Sequence, residues 1–412
     1  MASVTDSARA RLISAPFVIV TAATLAFFVF VGIAVSTLPR FIEDELGGDG
    51  LAIGINLAVF SIAAIAARPM IARIGDRYGR RVLMVGGALL AGAAIATTAF
   101  VHSLATLLPL RAISGVGEAA LFVGAATLIA DLSPSERRAE GASYFSLAVF
   151  GGLGIGPVVG EVVLGNDRYR AVYLVASLFC VAAALIALGA PNRVAGVVTA
   201  PVGGEARGFH RAALLPGLVL ACGIGGFAAF NAFLPTHAEA LGMPASVPFL
   251  VYSVLCLSLR FVGARLPERL GLGNALMAAL VGISGGLLLL ALLDHPSGVY
   301  LGTAVLAFGM ALLYPSLMAF AVNSVTEPER ARVLASFTMF FEVGGAVGGL
   351  VLGPVASIAG YQGAFLVGGL VALLGLPLLH RSVLVPRRQA QRAGPAPASA
   401  VATSEDQAAN VA

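Results

Sequence analysis

Residues 59–79 read VFSIAAIAARPMIARIGDRYG, and residues 251–271 read VYSVLCLSLRFVGARLPERLG. The two segments are identical at seven positions with a constant offset of 192 residues, and three of these positions are arginines, the first being Arg68 and Arg260. A similar run, GGLGIGP at 151–157, returns as GGLVLGP at 348–354. An internal repeat of this length indicates a fold that is made of two similar halves.

The composition indicates a chain that lies in a membrane. Hydrophobic residues make up 58% of the 412 residues and charged residues only 11%, whereas about a quarter of the residues in soluble domains are charged. A soluble fold of this size would have to leave much of that apolar surface in water. We therefore expect the lipid bilayer to surround most of the chain.

Several kinds of chemistry are excluded or disfavoured by the residue types present. All 25 basic residues are arginines, so the chain has neither the lysine that holds ATP phosphates in a P-loop nor a lysine for a Schiff base. The three cysteines fall in apolar runs and the five histidines are scattered, which is not the spacing of a metal site. We expect no cofactor, no metal, no nucleic-acid partner and no enzymatic activity.

Twelve stretches are long and apolar enough to cross a bilayer, which takes about 20 residues each. They lie near 16–39, 51–72, 82–101, 104–130, 140–165, 171–190, 213–236, 246–266, 273–293, 298–322, 332–357 and 361–380. We predict an all-α membrane protein of twelve transmembrane helices. It consists of an N-terminal six-helix bundle (1–190), a cytoplasmic linker (191–212), a C-terminal six-helix bundle (213–381) and a disordered cytoplasmic tail (382–412).

The distribution of arginine predicts the orientation of the chain. When the segments between spans are assigned alternately to two sides, nineteen of the 25 arginines fall on the side of the N-terminus. Three fall on the opposite side and three lie within spans. Because positive charge accumulates on the cytoplasmic side, both termini are predicted to be cytoplasmic, and the location is predicted to be the inner (plasma) membrane.

The loop after the second span carries a motif. It reads Ala72-Arg73-Ile74-Gly75-Asp76-Arg77-Tyr78-Gly79-Arg80-Arg81. This loop resembles the G-x-x-x-D-x-x-G-R-[RK] signature of the major facilitator superfamily, with Ala72 at the position where the family usually has Gly. The loop that starts at Asp131 and the two-repeat organisation are also similar to that family. The resemblance covers essentially the whole chain and implies a transporter.

The same loop is a candidate gate. The resemblance implies a charged network that latches the outward-open state and breaks when the inner gate opens. Its members are Asp76, Arg77, Gly79, Arg80, Arg81 and Asp131. The alternative is a basic loop that only sets the orientation and whose charges are solvated. We favour the latch, because an acidic residue in a basic loop adds nothing to orientation.

The fifth span contains closely spaced small residues. They are Gly152, Gly156, Pro157 and Gly160. Small residues four positions apart let two helices approach closely, and proline bends a helix. The pattern resembles the signature of the drug–proton antiporter branch of the family, although Glu161 stands at its last Gly position. A functional hinge and ordinary close packing both fit these residues.

Ionisable residues inside the membrane are costly and mark functional sites. The candidates for proton coupling are Glu118, Arg111, Glu161 and Glu342. A carboxyl group in a low-dielectric setting takes up a proton more readily than in water, and we identify Glu118, near the middle of its span, as the proton carrier. The alternative is a structural clamp between helices. Arg111 resembles an arginine that the family ties to proton coupling, and we expect Arg111 to pair with Glu161.

Aromatic residues occupy the spans that line the central cavity in the family. The candidates for this lining are Phe27, Phe30, Phe230, Asn231 and Tyr314. A lining of this kind suits a hydrophobic or amphipathic organic molecule, including a cationic one. The alternative is that many of the phenylalanines face lipid.

The sequence therefore predicts a secondary transporter that acts as a monomer. By alternating access it would export small organic compounds, such as drugs or secondary metabolites, in exchange for protons. Two other functions stay open, namely import or facilitated diffusion of a nutrient, and a membrane sensor that transports nothing. The charged residues at depth speak against the sensor, which gains nothing from them.

Overall fold

The computed structural model describes residues 12–134, 137–165, 168–193, 209–244, 246–262, 269–325 and 329–381. The first six helices are α1 (Ala15–Asp44), α2 (Gly50–Tyr78), α3 (Arg80–Thr98), α4 (Leu104–Leu132), α5 (Arg138–Leu164) and α6 (Tyr169–Leu188). After a 3₁₀ turn at Arg211–Ala213 come α7 (Leu214–Ala240), α8 (Ser246–Val262), α9 (Leu272–Leu292), α10 (Pro296–Asn323), α11 (Arg330–Leu373) and α12 (Gly375–Leu379). The predicted tail, most of the predicted linker and the N-terminus lie outside the described residues.

The helices are those of a multi-pass membrane protein. Within the described ranges, ten helices are long and apolar enough to cross a membrane, and a shorter apolar helix covers Ser246–Arg260. Helix α11 is interrupted at Gly360, whose φ of +70° separates an arm at 330–359 from an arm at 361–373. Twelve spans would require both arms and α8 to cross the bilayer, and that number stays a prediction.

Local sequence signals explain where several helices begin. The side chains of Ser14, Asp49 and Ser103 accept hydrogen bonds from backbone N–H groups in the first turns of α1, α2 and α4. Such caps satisfy donors that have no partner inside the helix. Between α2 and α3 the chain turns at Gly79, whose φ of +97° favours a residue without a side chain.

Glycines bring α1 and α5 into backbone contact, and they do the same for α7 and α11. A Cβ atom on Gly156 of α5 would lie 2.6 Å from the Cα of Gly32 in α1. A Cβ atom on Gly348 of α11 would lie 2.8 Å from the carbonyl oxygen of Gly225 in α7. Small residues therefore set the close approach of helices, as is usual in membranes, and the same pairing occurs in each half of the chain.

The two halves meet chiefly along two helix crossings, and α1 also contacts α7. Helix α2 packs on α11, where a Cβ atom on Gly54 would lie 2.7 Å from the Cα of Gly353. Helix α5 packs on α8, where a Cβ atom on Gly154 would lie 2.7 Å from the Oγ of Ser253. We call the end of the bundle with the turns at 45–49, 99–103, 241–244 and 293–295 the outer end, after its predicted orientation.

Candidate functional site

A cluster of charged side chains lies where the two halves meet. Glu118 of α4 and Glu342 of α11 are 6% and 7% exposed. The charge of Arg68 on α2 acts on both carboxyl groups, and the two carboxyl groups act on each other. Ser61 of α2 lies beside Glu342 and interacts with its carboxyl group. We call Glu118, Arg68, Glu342 and Ser61 the central cluster.

Small residues next to these side chains explain why the cluster is buried. A Cβ atom on Gly345 would lie 2.8 Å from the Oγ of Ser61, so α11 and α2 touch at this level. One residue before Glu118, Gly117 lies against the backbone of α3, where a Cβ atom would be 2.6 Å from the carbonyl oxygen of Gly87. The close packing keeps bulk water away from the carboxyl groups, and a buried charge of this kind needs a partner.

A second arginine lies at the interface between the halves. The guanidinium carbon of Arg260 in α8 is 3.7 Å from the centre of the Phe150 ring in α5. The Phe150 ring lies 6.1 Å from the ring of Tyr314, which in turn lies 5.8 Å from Phe337. The charges of both Arg260 and Arg68 act on Tyr314. The repeat-related arginines thus converge on one tyrosine.

The predicted pairing of Arg111 with Glu161 is wrong. The guanidinium of Arg111 lies over the ring of Phe60, 4.6 Å from its centre, and its Nε and Nη1 have no hydrogen-bond partner in the described part of the chain. The side chain points from α4 towards α2, whereas Glu161 on α5 faces α1. Neighbouring helices can carry charges at one depth and still present them to different partners.

Glu161 belongs instead to a polar network at the outer end. Its Oε2 accepts a hydrogen bond of 2.9 Å from Nη1 of Arg40, and Nη2 of Arg40 contacts Glu239 of α7. Because Arg40 and Glu161 belong to the first half and Glu239 to the second, the arginine ties the two halves together. The sequence analysis counted Arg40 only among the three arginines on the side opposite the N-terminus and missed this role. The repeated Leu-Pro-x-x-x-Glu at 38–43 and 234–239 marks both helix ends.

Three further hydrogen bonds join the halves at the same end. The hydroxyl of Tyr361 donates to Glu43. The hydroxyl of Ser357 donates to Asp49 Oδ2 at 2.7 Å and accepts from the backbone N–H of Leu51. Together with the contacts of Arg40 these form the outer gate, whose residues are Arg40, Glu43, Asp49, Glu161, Glu239, Ser357 and Tyr361. The outer end is thus closed in the state that the structure describes.

Five of the six predicted latch residues lie at the junction of α2 and α3, which packs on the segment after α6. Asp76 and Arg77 lie in the last turn of α2, Gly79 makes the turn, and Arg80 and Arg81 begin α3. Nη1 of Arg80 donates to Asp76 Oδ1 at 3.1 Å, and Nη2 of Arg193 donates to the backbone carbonyls of Asp76 and Arg77 at 3.1 Å each. Arg81 donates to the carbonyl of Leu188 at 3.4 Å. Gly79 lies against Asn192, and Asp131, at the end of α4, is also engaged. The latch role stays a prediction.

The predicted hinge glycines form the contact between α5 and α1. A Cβ atom on Gly152 would lie 2.6 Å from the Cβ of Phe28, and one on Gly160 would lie 3.2 Å from Thr37 Cγ2. Pro157 follows Gly156 inside the helix. This geometry gives the glycines a packing role, and the hinge stays a prediction.

The predicted cavity residues lie inside the protein. Phe27, Phe30 and Phe230 have no exposed surface, and the rings of Phe27 and Phe30 are 5.2 Å apart. Asn231 and Tyr314 are half-buried. The phenylalanines therefore do not face lipid, and in this state they are covered by neighbouring side chains. Their contact with a transported compound stays a prediction.

Comparison with known proteins identifies the family. The model of the Major Facilitator Superfamily matches residues 19–310 and 276–407. The chain belongs to this superfamily. An uncharacterised MFS-type transporter of Burkholderia mallei (strain SAVP1) is 29% identical over 390 residues, covering 90% of this chain and 92% of the relative. The protein is therefore an MFS-type membrane transporter.

Two solved transporter structures share the fold. A bacterial homologue of the human lysosomal transporter Spinster, in an inward-facing and unoccupied conformation, superposes with a TM-score of 0.73 at 13% identity, covering 89% of this chain and 96% of that one. The nucleoside transporter NupG superposes with a TM-score of 0.72 at 15% identity, covering 90% and 99%. At these identities the likeness shows the fold alone.

Proposed function

We propose that this transporter couples the export of small organic compounds across the inner membrane to the uptake of protons. The observation that carries the proposal is the central cluster, in which two buried carboxyl groups and one arginine lie between the halves that must move. Intramembrane charges in transporters mark substrate and proton pathways. The glycine pattern of α5, which resembles that of drug–proton antiporters, favours export as the direction of transport. Both termini are predicted to be cytoplasmic.

The central cluster supports proton coupling through its charge balance. With Glu118 and Glu342 both ionised, the single positive charge of Arg68 leaves one negative charge uncompensated in a low-dielectric site. Uptake of one proton removes that surplus, so the pair is suited to hold and release a proton. Because the carboxyl groups sit on different halves, their mutual repulsion and their attraction to Arg68 change when the halves move apart.

The outer gate supports alternating access. Its polar contacts between the halves form only when the outer end is closed, so opening that end must break them. We propose that the junction of α2 and α3, with Asp76 and Arg80, acts at the opposite end as the latch of the outward-open state. One end would then stay closed while the other opens. Alternating access requires this, because two open ends would leave a continuous pore.

The test is proton movement in proteoliposomes under an imposed pH gradient. The purified protein is given a panel of lipophilic and amphipathic compounds, and internal pH is followed with a trapped dye. We expect the addition of at least one compound to cause protons to cross the membrane down their gradient. The Glu118→Gln variant should stay folded and lose this proton movement. Glu140→Gln is the matched control, because Glu140 is an exposed carboxylate. Its Oε2 accepts a hydrogen bond of 2.8 Å from Nε of Arg137.

Three results would count against the proposal. Movement of compounds without protons would indicate a facilitator, and uptake driven by protons would indicate an importer. Undiminished proton movement in Glu118→Gln would remove this residue from the role of proton carrier. Absence of any transport in folded protein would favour the sensor.

A further inference from the structure

Arg260 has a whole edge of its guanidinium without a hydrogen-bond partner among the described residues. Its Nε and Nη2 are buried and have no hydrogen-bond partner in the described ranges. These two nitrogens form one edge of the planar guanidinium, the edge that grips a carboxylate with two parallel hydrogen bonds. Buried donors without a partner are costly. A ligand that accepts hydrogen bonds at this edge would therefore lower the free energy of the protein.

The ring of Phe150 holds that edge in place. The guanidinium carbon is 3.7 Å from the ring centre, so the ring covers the face of the guanidinium, and the buried Nε–Nη2 edge is left without an acceptor among the described residues. Stacking of this kind fixes the plane of an arginine and leaves its donors pointing sideways. The arrangement orients a binding group in advance, which reduces the entropy that is lost when a ligand binds.

No carboxylate balances Arg260 among the described residues, and here it differs from its repeat partner Arg68. Arg68 shares the central cluster with Glu118 and Glu342. Three aromatic side chains lie near Arg260, namely Phe150, Tyr252 and Tyr314. A lone cation among aromatic rings, at the interface of the two halves, fits a ligand with one negative charge and a flat apolar body.

We infer that the transported compounds are amphipathic organic anions, whose charged group binds the Nε–Nη2 edge of Arg260 and whose apolar body packs on Phe150 and Tyr314. The inference rests on the proposed transport function and names its substrate class. It departs from the expectation, drawn from the aromatic residues alone, that a cationic compound would suit the cavity. The anion and the proton are held by different charged groups, because the carboxyl groups belong to the central cluster around Arg68, and Tyr314 lies within reach of both arginines.

The test is binding of matched aromatic probes to the full chain in lipid nanodiscs, measured by calorimetry. The anions are 2-naphthoate, naphthalene-2-sulfonate and 2-naphthyl phosphate, with 2-naphthamide as neutral and 2-naphthylmethylammonium as cationic counterparts. We expect at least one anion to bind about ten-fold or more tightly than both counterparts, as a charged hydrogen-bonded pair provides. Arg260→Gln should abolish that preference, and Arg260→Lys should keep only part of it, since lysine lacks the paired donors.

The control is Arg170→Gln, because Arg170 is an exposed arginine at the start of α6, and it should leave the preference unchanged. The inference is overturned if the wild-type protein shows no preference for any anion, or if Arg260→Gln retains the preference. Proton-coupled transport of cations would overturn the substrate class and leave the proposed function standing. Selective binding of anions without proton movement would overturn the proposed proton coupling and leave the substrate class standing.

Discussion

Removing Glu239 should open the outer gate, because its contact with Arg40 joins the two halves. A hydrogen bond to a charged group contributes about 1.5–3 kcal/mol. The side chain of Glu239 is 33% exposed and that of Arg40 8%, so solvent screening favours the lower end, about 1.5 kcal/mol. That difference corresponds to a roughly ten-fold rise in the ratio of outer-open to outer-closed molecules. Glu239→Ala is the variant that tests it.

The ratio can be measured by the distance between two spin labels at the outer end. For this distance, His102 and Asp294 are replaced by cysteines that carry the labels. Both positions are exposed, they belong to different halves, and they are related by the repeat offset of 192. The three native cysteines, at 180, 222 and 256, are first replaced by alanine. Glu239→Ala should then raise the share of the longer distance about ten-fold relative to the shorter one.

Glu161→Ala is the matched control for this experiment. It also deprives Arg40 of a carboxylate, at 2.9 Å, but both residues belong to the first half, so this contact persists when the halves separate. The reasoning would be refuted if Glu239→Ala left the distance distribution unchanged. It would also be refuted if Glu161→Ala shifted the distribution as far as Glu239→Ala does.

Two further predictions concern packing and pH. Gly156→Ala should lower the thermal unfolding midpoint in detergent by an overpacking cost of about 1–3 kcal/mol, because the new methyl group would clash with the carbonyl oxygen of Val29. Gly86→Ala, where nothing lies within 4 Å, should leave the midpoint unchanged or raise it, and equal effects of the two variants would contradict the packing role. Hydrogen bonds from Ser357 and then from the backbone lower the pKa of Asp49 below its usual value. The contribution of Asp49 to closure of the outer end is therefore complete when the pH is above the ordinary aspartate pKa. It is lost only as the pH falls through the lowered pKa. The spin-label distance should stay short at neutral pH and lengthen in acid, and the acid change should be smaller in Ser357→Ala.

The features that could be predicted from the sequence are those written locally in it. Apolar runs of sufficient length gave ten helices of the right kind, since each run depends only on its own composition. The repeat of Arg68 as Arg260 indicated two related halves. The signature around Asp76 led to the superfamily. None of these signals needs a knowledge of which helix faces which.

Side-chain partners could not be predicted, because they depend on the rotation of each helix about its axis. Arg111 and Glu161 were expected to pair from their depth alone, and the structure turns them to different neighbours. Glu118 and Glu342 were each singled out as buried acids. Their approach to each other and to Arg68 follows only from the packing of α2 against both α4 and α11. A rotation of about 100° per residue decides such meetings.

The most direct test of the central claim separates exchange from proton-driven movement. Proteoliposomes loaded with a transported compound are assayed for exchange against the same labelled compound at equal pH on both sides, and then for net movement under a pH gradient. The account predicts that Glu118→Gln keeps the exchange and loses the net movement, because the halves still alternate but no proton is carried. Loss of both, or retention of net movement driven by the gradient, would contradict the assignment of the proton to the central cluster.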